Sequence, residues 1–184
     1  RRRGQPETIA ADIKGTTLGQ ILLAFPEADR EGIVEELHQF EARMQYPVYP
    51  GVREFLLELR ERHIPTAIVT SSDDTKMSFL RRVHPELLEM VDIIVTGSMV
   101  EKGKPDPDCY LMGAHLIDRP IEDCYVFEDS MQGLQAGRAA GAHVVGIATT
   151  NPAEKVSGLA HLTVPSMAGM TVERMKEASA KQVD

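Results

Sequence analysis

Apolar positions along the chain follow first one period and then two in alternation. Leu18, Ile21, Leu22 and Phe25 recur at helical spacing up to Pro26, and Ile33, Leu37, Phe40 and Met44 do so over a longer stretch. This predicts an N-terminal part that is all helical. Tyr46-Pro47-Val48-Tyr49-Pro50-Gly51 then breaks the periodicity with two prolines and a glycine. A boundary is predicted there, dividing residues 1–46 from residues 47–184. Beyond it, Val52, Phe55, Leu56 and Leu59 mark one face of a helix over residues 51–62, and Thr66-Ala67-Ile68-Val69-Thr70 reads as a short buried strand. The alternation continues with helices at 75–83, 107–116 and 130–140, strands at 91–95, 124–127 and 143–148, a weak last strand at 162–164, and a helix after Met167. Strand and helix alternating at this spacing predict an α/β fold with a doubly wound parallel sheet and right-handed crossovers.

Composition narrows the class of partner. A chain of 184 residues, 42% hydrophobic, is long enough to bury a real core. Its formal net charge is -8, and its basic residues are scattered apart from Arg1-Arg2-Arg3, which argues against nucleic acid. Cys109 and Cys124 make no metal-binding spacing and read as reduced thiols filling the core, so a cytoplasmic location is expected. No apolar run approaches the roughly 18 residues of a spanning helix, so no membrane contact is expected.

Each polar cluster of interest follows a predicted strand, which puts all of them on one edge of the sheet, where ligands of open α/β sheets bind. Thr70-Ser71-Ser72 supplies three hydroxyls before a helix. They suit a phosphate oxygen, or simply the helix cap. Gly103-Lys104-Pro105-Asp106-Pro107-Asp108 presents Lys104 from a loop stiffened by two prolines, as a fixed positive charge for a phosphoryl group, with Asp106 as a turn or capping residue. Glu128 and Asp129 stand side by side at a strand end, where two hard carboxylates suit Mg²⁺ or an acidic helix start. Gly133, Gly137 and Gly141, four residues apart, read as helix packing and a cap.

Together, Val69-Thr70-Ser71-Ser72, Gly103-Lys104-Pro105-Asp106-Pro107-Asp108 and Phe127-Glu128-Asp129-Ser130 resemble motifs II, III and IV of the haloacid dehalogenase-like hydrolases, in order and in spacing. The nearest likeness is to the β-phosphoglucomutase-like and sugar-phosphate phosphatase branch, supported by Tyr49-Pro50-Gly51-Val52 and Gly133-Leu134-Gln135-Ala136-Gly137. The resemblance implies a Rossmann-like core, a helical cap, and phosphoryl transfer through an aspartyl-phosphate on a small phosphorylated metabolite, with Mg²⁺ as cofactor. By position, Thr70 and Ser71 would hydrogen-bond the phosphoryl group, with Ser72 beside them. Lys104 would neutralise the phosphate and the nucleophile, Asp129 would ligate Mg²⁺, and Glu128 would help to hold it.

One part of the family pattern is missing. The family's first strand ends in Asp-x-Asp, and neither Asp12 nor Asp29, the two aspartates before Thr70, stands in such a motif. The resemblance therefore implies a truncated cap over residues 1–46 and a core over 47–184 without its first, central strand. It also implies an apolar groove in the middle of that core, and a chain that is inactive as it stands. Such a chain is expected to be unstable, rearranged or a fragment of a longer protein, and its start at Arg1 without Met favours the fragment. Lys14, in Asp12-Ile13-Lys14-Gly15-Thr16-Thr17, stands where the branch carries its specificity loop and could meet a second anionic or hydroxylated group. A phosphomutase, or a non-catalytic relative that keeps the phosphate and Mg²⁺ residues, remains the alternative to a phosphatase. The long helical segment before Tyr49 argues against a receiver-like signalling domain.

Overall fold

The structure, a computed structural model, describes residues 15–180. Thr17 opens helix α1 (Leu18–Leu22) with a capping box, its hydroxyl accepting from the Gln20 N–H while Gln20 Oε1 accepts from the Thr17 N–H at 2.9 Å. Helix α2 (Glu27–Glu41) forms where the apolar spacing places it, yet its apolar stripe is not what it buries. Phe40 is 66% exposed, and the buried residue of the helix is Glu41.

The alternating part then runs α3 (Val52–Glu61), β1 (Ala67–Val69), α4 (Asp74–Val83), α5 (Pro85–Leu88), β2 (Ile93–Val95), α6 (Asp108–Leu116), β3 (Tyr125–Glu128), α7 (Met131–Ala140), β4 (His143–Ile147), α8 (Ala153–Ser157), β5 (Leu162–Val164) and α9 (Val172–Lys176). In this part every strand and long helix lies within two residues of its predicted ends. The short helices α5 and α8 carry too few residues for a periodic signal.

All strand pairs are parallel, as the α/β reading requires. Side-chain alternation along the strands divides the core between two helical layers. Phe127 and Val145 join Phe55, Leu59, Val164, Met167 and Met175 on the side of α3 and α9. Val126 packs with Cys109, Tyr110 and Ala136 of α6 and α7, and Val144 with Leu134 of α7 and Val156 of α8. Val144 and Val145 are both fully buried, and each such side chain contributes about 1.5–3 kcal/mol.

Among the described residues the sheet is in two pieces. β1 pairs with β2, and β3, β4 and β5 pair in that order, but β1 and β3 share no hydrogen bonds. Between them lies an apolar cleft of about 330 Å³, lined by Ile68, Val69, Val126, Phe127, Phe55 and Met175 among others. This cleft lies where the family resemblance would put a first strand. Among the described residues no helix is long and apolar enough to cross a membrane.

Candidate active site

The C-terminal ends of β1 and β3 meet over one cavity of about 440 Å³, whose walls include Thr70, Ser71, Ser72, Lys104, Glu128 and Asp129. The backbone N–H of Thr70 continues the ladder by donating to Val95 O at 2.9 Å, while its Oγ1 accepts from the Ser72 N–H at 3.1 Å. Capping of α4 falls to Asp73, which accepts from the Lys76 N–H at 2.8 Å. The three hydroxyls are thus not used as the helix cap. Ser71 Oγ donates instead to the Gly15 carbonyl at 2.6 Å, bringing the N-terminal segment over the cavity.

Lys104 is only 4% exposed. Its Nζ donates to Glu128 Oε1 at 2.5 Å and to Val69 O at 3.2 Å, and lies 4.7 Å from the centre of the Tyr110 ring. The turn before α6 is set by Asp106, whose Oδ1 accepts from the Asp108 N–H at 3.2 Å. This is the turn role read from the sequence.

Glu128 is saturated by protein donors. Besides Lys104, Oε1 accepts from the Tyr110 hydroxyl at 2.7 Å, and Oε2 accepts from the N–H groups of Asp129 and Ser130 at 3.1 Å each and from Ser130 Oγ at 2.9 Å. Burial by itself would raise the Glu128 pKa, but the Lys104 charge and the hydrogen bonds from Lys104, Tyr110 and Ser130 outweigh it and hold the carboxyl below its ordinary value. Burial, followed by the charge of Glu128, pushes the Tyr110 phenol well above its ordinary value, so it remains a donor. Gly133, which reads in the sequence as a packing glycine for the sheet, serves this carboxylate. A Cβ there would stand 2.0 Å from Glu128 Cδ.

Asp129 is held differently. Thr150 donates to its Oδ2, and Asn151 Nδ2 donates to its backbone carbonyl at 2.8 Å. Oδ1 has no protein donor among the described residues. Of the two adjacent acids, Asp129 has the capacity left for a cation and Glu128 has none. Among the described residues no three acidic, histidine or cysteine groups cluster as a metal cage. The donor set fits a hard cation that takes one carboxylate and completes its shell with water and phosphate oxygens.

The wall of the cavity also includes an ion pair that the sequence does not announce. Buried Glu41 meets Lys76 at 3.1 Å, joining α2 to the first turn of α4. Gly103 fits beneath α1, where a Cβ would stand 2.4 Å from Gln20 Oε1. Lys14 lies outside the described residues. Tyr110, Thr150, Asn151 and the Glu41–Lys76 pair are not legible as site residues in the sequence, because nothing in their local sequence marks them. Ser130 carried the one available signal, as a capping residue directly after the two acids.

A family model for haloacid dehalogenase-like hydrolases matches residues 3–141. The chain belongs to the haloacid dehalogenase-like hydrolases. Within that family it is 36% identical over 155 residues to hexitol phosphatase A of Escherichia coli (strain K12), an alignment that covers 80% of this chain and 70% of the relative. It is 31% identical over 128 residues to the β-phosphoglucomutase of Bacillus subtilis (strain 168), covering 70% of this chain and 54% of that enzyme. The crystal structure of a family IA, variant 3 hydrolase from Entamoeba histolytica superposes with a TM-score of 0.81 at 24% identity, covering 96% of this chain and 85% of that one. This haloacid dehalogenase-like chain thus has phosphatases and phosphomutases as its relatives, and shares their fold.

Proposed function

We propose that the cavity binds the phosphate group of a small sugar or polyol phosphate, and that the site is of the Mg²⁺-dependent phosphatase type. The observation that carries this is the convergence of the Thr70, Ser71 and Ser72 hydroxyls, the buried ammonium of Lys104 and the open oxygen of Asp129 on one cavity. Lys104 supplies a fixed charge in a dry environment, where it attracts a phosphate dianion far more strongly than in water. The Thr70 hydroxyl and the Ser71 backbone N–H supply donors to the phosphate oxygens, the Ser71 hydroxyl being given to the Gly15 carbonyl. Glu128 orients Lys104 rather than meeting the ligand. Mg²⁺ at Asp129 would neutralise charge on the phosphoryl oxygens. The polyol part of the substrate is favoured by the likeness to hexitol phosphatase A, and residues 1–46 would contact it as a cap, through Lys14 and through the Glu41–Lys76 pair on the cavity wall.

Neither Asp12 nor Asp29 stands in an Asp-x-Asp motif, so binding is the measurement that tests the site in this chain. Titration calorimetry with a hexitol phosphate and Mg²⁺ is expected to show saturable binding that is lost in Lys104→Met. In Asp129→Asn, phosphate binding should persist while its dependence on Mg²⁺ disappears. Unchanged binding in both variants would overturn the site. The same chain is expected to show no Mg²⁺-dependent hydrolysis of an aryl phosphate, and turnover would reveal a nucleophile elsewhere.

A further inference from the structure

Among the described residues, the wall of the phosphate cavity carries four carboxylates, Glu41, Asp73, Glu128 and Asp129, and two ammonium groups, Lys76 and Lys104. Glu128 has both oxygens filled by protein donors, and Asp129 keeps one for a cation. Asp73 accepts from the Lys76 N–H through Oδ1 at 2.8 Å and meets His38 Nε2 through Oδ2 at 3.0 Å. Glu41 is different. Its side chain is only 7% exposed, yet among the described residues its single side-chain partner is the Lys76 ammonium, 3.1 Å from Oε1. Oε2 accepts from no described group, and the residue lines the cavity.

Nothing in the local structure favours a carboxylate at this position. Glu41 is the last residue of α2, where the negative end of the helix dipole opposes an acid. Burial of a charge is costly unless several hydrogen bonds replace its water. The ion pair is also not needed to hold α2 against α4. His38 already meets Asp73, Arg82 donates to the Ala42 carbonyl at 2.9 Å, and the Glu41 carbonyl accepts from the Tyr46 hydroxyl at 3.0 Å. A metal ion is disfavoured as a further partner, because the Lys76 charge already stands against the carboxylate and would repel it. What suits Oε2 is a neutral donor that enters the cavity.

We propose that Glu41 selects the substrate, by accepting a hydroxyl of a neutral polyol chain whose phosphate is held at Lys104, and that it turns away ligands carrying a second phosphate. This deepens the phosphate reading and rests on it. A hydroxyl has a proton to donate and no charge, so it fits Oε2. A second phosphate dianion offers acceptors only and meets Glu41 with like charge. Lys76 keeps ammonium donors beyond the one aimed at Glu41, and these take the oxygen of an adjacent hydroxyl, so the pair reads a diol. Lys104 is engaged by the first phosphate, which leaves Lys76, already paired, as the other ammonium described in the wall.

Titration calorimetry on the whole chain with Mg²⁺ compares inorganic phosphate, hexyl phosphate, a sorbitol monophosphate and the corresponding sorbitol bisphosphate. Inorganic phosphate reports the phosphate site alone. The sorbitol monophosphate should bind about tenfold more tightly than hexyl phosphate, which has the same chain without the hydroxyls, and about tenfold more tightly than the bisphosphate. Glu41→Gln keeps the shape and removes the charge. It should lose about tenfold for the sorbitol monophosphate, leave hexyl phosphate and inorganic phosphate unchanged, and narrow the gap to the bisphosphate. A purely structural Glu41 would instead weaken every ligand alike. That outcome, equal binding of the hexyl and sorbitol monophosphates by the native chain, or tighter binding of the bisphosphate would each overturn the proposal while the phosphate site stands. The comparisons within the native chain decide the matter even where the variant does not fold. No binding of inorganic phosphate by the native chain would overturn both readings.

Discussion

Five donors converge on the carboxylate of Glu128, and one of them is the Lys104 ammonium proposed to hold phosphate. The two side chains are 5% and 11% exposed, so neither charge can be abandoned to water. Lys104→Met leaves the carboxylate buried and uncompensated, and should cost about 3–5 kcal/mol in urea unfolding. The carboxyl is held below its ordinary value, which means that folding favours the ionised form. That contribution is full above the unfolded value and is lost as pH falls through the lower folded one. Thermal melts should show an acid limb below about pH 4.5 in the native chain, and a flatter profile over the same range in Glu128→Gln. Gly133→Ala places a methyl group against this carboxylate and should destabilise by about 1–3 kcal/mol. Combined with Glu128→Ala, it should cost less than the sum of the two single changes, since they share one contact.

At the scale of elements, the apolar periods located helices and strands well because each period is a local property of the backbone. They did not tell which surface each element would bury. α2 forms where Ile33, Leu37 and Phe40 recur, yet it leaves Phe40 exposed and buries Glu41 against Lys76. Ser130 shows how a local signal gains a second task. It caps α7 by accepting from the Gly133 N–H at 3.0 Å and donates to Glu128 at 2.9 Å. Ser130→Ala should cost about 1–2 kcal/mol and also weaken phosphate binding through Lys104. Thr171→Ala removes only the cap of α9 and should lower the melting temperature with phosphate affinity unchanged. Calorimetry on both variants separates the two tasks.

For the whole molecule, the parallel sheet brings Thr70, Lys104 and Asp129 from three loops to one cavity, and the same sheet is divided by a cleft beside it. A ligand that binds the folded chain stabilises it by mass action. Phosphate at about one hundred times its dissociation constant should add about 2.7 kcal/mol, and bound Mg²⁺ should add to this. Differential scanning fluorimetry should show the larger shift with both present than with phosphate alone, and none from Mg²⁺ in Asp129→Asn.

The sequence by itself determined the order of the elements, their parallel arrangement, and the edge on which the polar clusters would meet. These follow from periodicity, from turn residues and from the handedness of strand connections, all of which act over short stretches of chain. Only the tertiary structure decided how the two adjacent acids differ. Lys104, Tyr110 and Ser130 reach Glu128 from separate elements and consume both of its oxygens, while Thr150 and Asn151 hold Asp129 and leave it one. The two carboxylates are neighbours in sequence with the same local pattern. The donors that distinguish them come from residues far along the chain, which only packing brings within hydrogen-bonding distance.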